Sequence, residues 1–335
     1  MSTPPPWRRR LSQAVRPEYA ARPRQIAERA RVALRDRRHP PAPVERGRLP
    51  WGLEINYHPQ EIIGSSIRRL GLFDLLASEV LLRLPAPGEL VVDGGANIGH
   101  LSGLLALATG PGGQVLAVEP HPEVAGELRA NVEHWRGDPR LGEIEVIQVA
   151  LSDGTGRGRL LIPADFSANR GSARLGGAAD GAGPSTQPDS DPDPGAYEVT
   201  LTSLDQLCGE RPVGVLKLDI EGHELPALHG AAELLGSRRV RDILFEENTD
   251  VPSPVTELLE DAGYTVLGLE VTVRGPRARS LADGPPRTTP EQPLYLATTE
   301  SVRALDALGV RGWRALRGRR SPRPLRGIAS RGCSR

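Results

Sequence analysis

Two groups of residues in this 335-residue chain have the types and spacing that chemistry needs. The first runs from Gly88 to Gly99, Gly-Glu-Leu-Val-Val-Asp-Gly-Gly-Ala-Asn-Ile-Gly. Leu90 to Val92 reads as a buried strand ending in Asp93 and a tight Gly94-Gly95 turn, with a helix starting near Asn97. A strand, a glycine turn and a helix N-terminus present bare backbone N–H groups where a ligand can approach closely. The next strand, Val115 to Val118, ends in Glu119, a carboxylate placed to hold a ribose diol. The second group is Leu216 to Glu224. Here Lys217, Asp219, Glu221 and His223 alternate with other residues, so a strand projects them to one side until Gly222 turns the chain. Lys217 is the only lysine in a chain with 41 arginines, which points to a need for a compact ammonium where a planar guanidinium would not serve.

The glycine turn narrows the ligand. From Gly95 to Gly99 it is one residue short of the Gly-x-Gly-x-x-Gly pattern that seats a pyrophosphate, which counts against a nicotinamide dehydrogenase. An acidic residue, Asp93, opens the turn and suits an amino-bearing ligand better than a phosphate. These features point to S-adenosylmethionine, with its ammonium near Asp93, its carboxylate at the helix start and its ribose on Glu119. The competing reading is an ordinary α/β connection with glycines for packing. Lys217 is expected to pair with a carboxylate beneath the pocket while Asp219 faces the cofactor, against the alternative of a purely structural buried ion pair.

Methyl transfer from a sulfonium to an alcohol needs in-line positioning and a base for the alcohol proton. His223, Asp219 and Glu221 are candidate bases, with Glu246 or Glu247 at the end of a later strand. His223 is favoured, because a neutral imidazole accepts a proton near pH 7 without large tuning. Asp219, Glu221 and Glu247 form an alternative Mg²⁺ set that would lower the acceptor's pKa. His100 either lines the pocket or packs in the core. Asn169, Arg170, Gly171 and Ser172 are candidates for a lid.

Elements must carry these residues. A helix over Phe73 to Leu84 stops at Pro85 and Pro87, and a helix spans Pro122 to Trp135. Further strands are expected at Ile144 to Val149, Val213 to Leu218 and Asp242 to Phe245, with a short extra strand at Arg159 to Ile162. Order resumes at Tyr197 to Leu201 after a Gly/Ala/Ser/Pro-rich loop over 164–196. A helix covers Pro254 to Ala262, and a last hairpin pairs Thr265 to Leu269 with Leu294 to Ala297. Alternating strands and helices imply an α/β, doubly wound, mostly parallel sheet with an antiparallel last hairpin strand and ligands at the strand carboxyl ends.

Composition divides the chain further. Residues 1–50 hold 13 arginines against four acids, and residues 301–335 hold ten against Asp306 alone. The zero net charge therefore hides an acidic body between two basic extensions. An Arg/Pro-rich extension over 1–50, a pre-core helical segment over 51–87, a catalytic domain over 88–300 and an Arg-rich tail over 301–335 follow. The ends suit an anionic partner or are simply solvated. Ile26, Ala30, Ala33 and Leu34 fall on one helical stripe, and Leu305, Leu308, Trp313 and Leu316 on another, and docking of either stripe on the core is an alternative to a free tail. Cys208 and Cys333 cannot build a disulfide framework. With no run of 18 apolar residues and no apolar leader, a cytoplasmic location is the expectation.

Residues 70–270 resemble the FkbM-type methyltransferases. The family's Asp-x-Gly-Ala-Asn-x-Gly is matched by Asp93, Gly95, Ala96, Asn97 and Gly99, and its acid followed by Pro by Glu119 and Pro120. Ala150 to Asp153 match the Ala-Leu-Ser-Asp after the third strand. Lys217, Asp219, Glu221, Gly222 and Glu224 match Lys-x-Asp-x-Glu-Gly-x-Glu, with Thr202, Leu204 and Asp205 upstream. Gly94, where a bulkier residue is usual, and Asp74, where Glu is common, depart from the pattern. The resemblance implies a Rossmann-like class I methyltransferase sheet. It also implies S-adenosylmethionine bound by Asp93 to Asn97, Gly99, Glu119, Pro120, Ala150, Ser152, Asp153 and Asp219, supported by Lys217, Glu224 and Glu247. The implied reaction is O-methylation of a hydroxyl on a sugar, glycan or secondary metabolite. An RNA methyltransferase using the Arg-rich ends is the second reading, but sparse aromatics leave no platform for stacking bases. A non-catalytic cofactor-binding protein is the third.

Overall fold

The computed structural model describes residues 30–32, 34, 36, 40–163, 166, 168–176, 196–283 and 293–316. Most of the 1–50 extension, Ile26 and Ala33 of the first stripe, the greater part of the 164–196 loop and the end of the tail lie outside them.

The chain opens with a hairpin of β1 (Glu45–Arg48) and β2 (Glu54–Tyr57), then helices α1 (Ile62–Leu70) and α2 (Leu75–Arg83). The alternating core follows: β3 (Leu90–Gly94), α3 (His100–Thr109), β4 (Gln114–Val118), α4 (Pro122–Trp135) and β5 (Glu143–Ile147). Short strands β6 (Ala150–Leu151), β7 (Gly156–Leu161), β8 (Arg174–Leu175) and β9 (Ala196–Thr202) form a small second sheet in the order β6-β9-β7-β8. The core resumes with α5 (Leu204–Cys208), β10 (Val213–Leu218), α6 (Glu224–His229), α7 (Ala232–Gly236), β11 (Val240–Glu246) and α8 (Pro254–Asp261). It closes with β12 (Thr265–Thr272), β13 (Gly275–Ser280), β14 (Leu294–Thr298) and α9 (Ser301–Gly309).

Eight strands make the main sheet, in the order β13-β12-β14-β11-β10-β3-β4-β5. The five from β5 to β11 are parallel, and β14, β12 and β13 are each antiparallel to their neighbour. This is the doubly wound, mostly parallel sheet that the sequence implies. The expected antiparallel pairing of the last strands is present, with Thr265 opposite Thr298 and Gly268 opposite Tyr295, but β13 intervenes in the chain and forms the hairpin with β12. The chain leaves β3 toward β4 and β5, then returns to lay β10 on the opposite side of β3. A crevice opens at such a switch in direction, beyond the strand carboxyl ends.

Local chemistry explains the elements. All six residues of β10 are buried, as a central parallel strand covered on both faces requires. Nine of the ten residues of α3 are buried, so its apolar sequence needs no polar face. The side chains of Asp74 and His121 cap α2 and α4, and Ser253 and Thr256 form a reciprocal capping box on α8.

Three features differ from expectation. Helix α3 begins at His100 rather than near Asn97, because Asn97 (φ +50°) and Gly99 (φ +88°) are left-handed and belong to the turn. The segment 51–87 carries a strand and α1 besides the expected helix. Residues 301–316, assigned by charge to a tail, continue the fold: Leu308, Trp313 and Leu316 are buried, and only Leu305 of that stripe faces solvent. No helix among the described residues is long and apolar enough to cross a membrane.

Candidate active site

A cavity of about 420 Å³ lies at the switch point. This is within the ~300–1,000 Å³ range of small-molecule sites. Gly95, Asn97, Glu119 and Pro120 line it from the β3 and β4 ends, and Asp219, Glu221 and His223 from the β10 end. Val149, Ala150, Leu151, Leu160 and Leu175 build an apolar wall from the small sheet.

The register of the sheet sets the charges. Lys217 on β10 is level with Asp93 on β3, and neighbours in register on parallel strands face the same side. The Lys217 Nζ lies 3.2 Å from Asp93 Oδ1 and 3.4 Å from Asp219 Oδ2. It also donates to the carbonyls of Gly94 (3.1 Å) and Gly95 (2.8 Å), bracing the turn from below. Burial pulls this ammonium down, but Asp93 and Asp219 outweigh it and hold its pKa above the ordinary lysine value. The expectation of a lysine–carboxylate pair beneath the pocket with Asp219 at the tip matches this geometry.

Asp93 lies beneath the cavity and not on its wall. It is fully buried, accepts from Ser102 Oγ at 2.6 Å, pairs with Lys217 and does not line the cavity. Gly94, Ala96, Gly99, Ser152, Asp153 and Glu224 also lie outside the lining. Glu224 Oε1 accepts from the backbone N–H of Ile220 (3.0 Å) and Gly222 (3.4 Å), so it shapes the loop beyond β10. Glu247 accepts from Thr249 and from Ser253 Oγ at the start of α8 and does not line the cavity. The Mg²⁺ set of Asp219, Glu221 and Glu247 therefore does not converge, and among the described residues no cluster of three metal-ligating side chains exists. His100 is a packing residue: its ring meets Trp51 edge-on, its Nε2 accepts from Phe73 N–H, and burial lowers its pKa to about 3.

The glycines have a geometric reason. A Cβ on Gly95 (φ +72°) would stand 1.9 Å from the Asp219 carbonyl oxygen, so the two strand ends approach this closely only with glycine here. Gly99 caps α3 without a side-chain hydrogen bond, leaving the helix N-terminus bare. Glu119 accepts from the backbone N–H of Asn97 (3.0 Å) and His121 (2.9 Å), one on each oxygen. Burial pushes its pKa up to about 7, partly offset by those two hydrogen bonds. Each oxygen retains a lone pair for a hydroxyl donor.

The far wall was not foreseen in full. Asp74 and Glu246 join Asp219 and Glu221 in the cavity lining, together with Ile62, Ile63, Leu72 and Phe73 from the pre-core segment. Burial, then repulsion from Asp219 and Asp74, pushes Glu246 up to about 9. Burial, then Asp219 and Glu224, pushes Glu221 to about 7. His223 Nε2 is 3.1 Å from Ser152 Oγ, and burial lowers its pKa. Asn169, Arg170 and Gly171 form part of the cavity wall, as a covering segment would. Arg170 is anchored by Glu127 at 2.5 Å, with Glu61 and Glu123 each at 3.5 Å, and His121 stacks on Phe166.

A glycine turn at the switch point, an acid at the second strand tip and a cluster of carboxylates in the lining make a Rossmann-like site at the carboxyl ends of a doubly wound sheet. A Methyltransferase FkbM domain model matches residues 93–266, more than half of the chain. The chain belongs to the FkbM methyltransferase family, whose enzymes use S-adenosylmethionine. A protein-L-isoaspartate O-methyltransferase of Aeropyrum pernix is 44% identical over 71 residues, which is 21% of this chain and 25% of that protein. Methyltransferase FkbM from Methylobacillus flagellatus KT is similar at 19% identity and a TM-score of 0.39, covering 62% of this chain and 43% of that one. A SAM-dependent O-methyltransferase from Thermotoga maritima is similar at 16% identity and a TM-score of 0.38, covering 77% and 78%. The chain thus spans a quarter of the curated relative and less than half of the Methylobacillus structure.

Proposed function

We propose that this chain transfers the methyl group of S-adenosylmethionine to a hydroxyl of a sugar, glycan or secondary metabolite. The observation that carries this reading is the single cavity where the glycine turn and Glu119 meet Asp219, Glu221 and His223. The residues suit the donor. Glu119 has lone pairs for ribose hydroxyls, the wall from Val149 to Leu151 suits a purine, and Asp219 offers a carboxylate to a cation. With Asp93 closed off, Asp219 takes the role first given to Asp93. When bound, the donor supplies a methyl carbon activated by a sulfonium.

The chain's own residues position the acceptor and take its proton. Ile62, Ile63, Leu72 and Phe73 give part of the cavity an apolar lining against which an acceptor packs. Ser152 Oγ lies 3.2 Å from Asp153 Oδ1 and donates to it, so His223 Nε2–H donates to Ser152 and Nδ1 keeps a lone pair. That imidazole, neutral because burial lowers its pKa, is the base. Glu246, protonated at neutral pH, is a hydrogen-bond donor to an acceptor oxygen.

Calorimetry with S-adenosylmethionine, its demethylated product and NAD, followed by labelled-methyl transfer to a panel of hydroxyl acceptors, tests the reading. Binding of the first two but not NAD, with label on oxygen, is expected. NAD binding, or label transferred only to nitrogen or carbon, overturns it.

A further inference from the structure

A second groove, of about 480 Å³, lies between the β12–β13 ribbon and the C-terminal end of α9 and shares no lining residue with the first cavity. Val273, Leu305 and Val310 line it together with Arg274, Arg277 and Arg311. The three aliphatic side chains are 62%, 44% and 43% exposed, and Val302, one helical turn before Leu305, is 73% exposed. Four of the seven large exposed aliphatic residues among the described ones therefore gather on this face. Scattered exposed aliphatics are ordinary, but clustered ones mark interaction surfaces. The three arginines are exposed and have no carboxylate partner among the described residues, and Asp306 is the only acid between 301 and 316.

We propose that this face docks on an anionic lipid bilayer surface. Charge complementarity selects the occupant. The chain's own ends are unsuited to it: residues 1–29 carry seven arginines against two acids, and residues 317–335 carry seven against none. Gly312 N–H donates to Arg274 O, and Trp313 Nε1 donates to Thr272 O at 3.1 Å. These bonds hold residues 312 and 313 beside the ribbon. A nucleic acid would use the arginines but gain nothing from Val273, Leu305 and Val310, and no exposed aromatic side chain lies there to stack on a base. A bilayer takes up both, arginines among the headgroups and aliphatics at the acyl boundary.

Flotation of the full chain with vesicles of phosphatidylcholine alone, or mixed with phosphatidylglycerol, tests the proposal. Binding to the mixed vesicles only, weakening steeply with salt, is expected. At ~1 kcal/mol per arginine near an anionic surface, Arg274→Glu, Arg277→Glu and Arg311→Glu together lower affinity on the order of 100-fold. Val273→Asp with Val310→Asp lowers it roughly 10-fold, since both lose the aliphatic contact. Both variants keep the wild-type melting temperature and donor binding, because every substituted side chain is exposed. Absence of vesicle binding, equal binding to neutral vesicles, undiminished binding by the triple variant, or preference for RNA over vesicles at equal salt overturns it.

Discussion

Buried charge occurs at two places in this molecule and is treated in opposite ways. Glu79 and Arg83 on α2 have side chains 0% exposed and paired at 2.5 Å. Arg83 also donates to the carbonyls of Ala307, Leu308, Val310 and Gly312. Glu79 accepts from Arg314 N–H (2.8 Å) and Ala315 N–H (2.7 Å). This closed network ties the C-terminal segment to the pre-core helix. In the cavity, Glu221 and Glu246 are also largely removed from water, but neither has a hydrogen-bond partner among the described residues, and both are pushed toward protonation. A charge whose every hydrogen-bonding valence is met stabilises one conformation. Acids left open in a cavity are destabilising until a ligand supplies the missing partner.

Substitutions can break this contrast, and the largest effect belongs to the closed network. Glu79→Ala leaves Arg83 buried without its counter-charge and is expected to cost about 3–5 kcal/mol in chemical denaturation. A loss under 1 kcal/mol would show that Arg83 needs only its carbonyl partners. His223→Ala is expected to lower turnover by roughly 10²- to 10⁴-fold while donor affinity in calorimetry stays near wild type. Asp219→Asn removes a carboxylate from Lys217 and from a cationic ligand. It is expected to weaken donor binding on the order of 10-fold, with Kd as the readout.

The smallest effect sharpens the sign of the contrast. Burial raises the pKa of Glu246 from 4.5 to about 9, so the folded state holds its proton over that window while the unfolded chain loses it. Stability therefore falls as pH rises from 4.5 toward 9, and the penalty is absent below 4.5. Because Glu246 keeps some contact with solvent, only a fraction of the full shift is felt, and Glu246→Gln should be more stable than wild type at pH 8 by on the order of 1 kcal/mol and indistinguishable at pH 4. A variant less stable at pH 8 would mean that Glu246 has a partner in the folded protein.

The same contrast separates what was legible from what was not. The strands β3, β4, β10 and β11 were legible because apolar runs buried on both faces declare themselves in one dimension. The acid at β4's tip and the turn at Gly95 were legible because each is set by its own strand end. Helix α1 was not: Gly64, Ser65 and Ser66 weaken its propensity, and it is held by tertiary contacts such as Ile62 N–H to Ala168 O. Strand β13 begins Gly275-Pro276, a turn signature that a sheet edge tolerates. The partners of Asp93 were not legible either, since its place in the sequence is equally consistent with facing a ligand or a neighbouring strand.

The sequence by itself determined the doubly wound fold, the family motifs and the identity of the residues at the strand tips, because these depend on local pattern and spacing. Only the tertiary structure decided which carboxylates are spent on the fold and which face the cavity. That division rests on strand register: Lys217 lies level with Asp93, and the two neutralise each other in the interior. Asp219, two residues on, is carried to the open end of the sheet, and Glu246 reaches the same cavity from the next strand. Register is a relation between strands more than a hundred residues apart, and no local pattern records it.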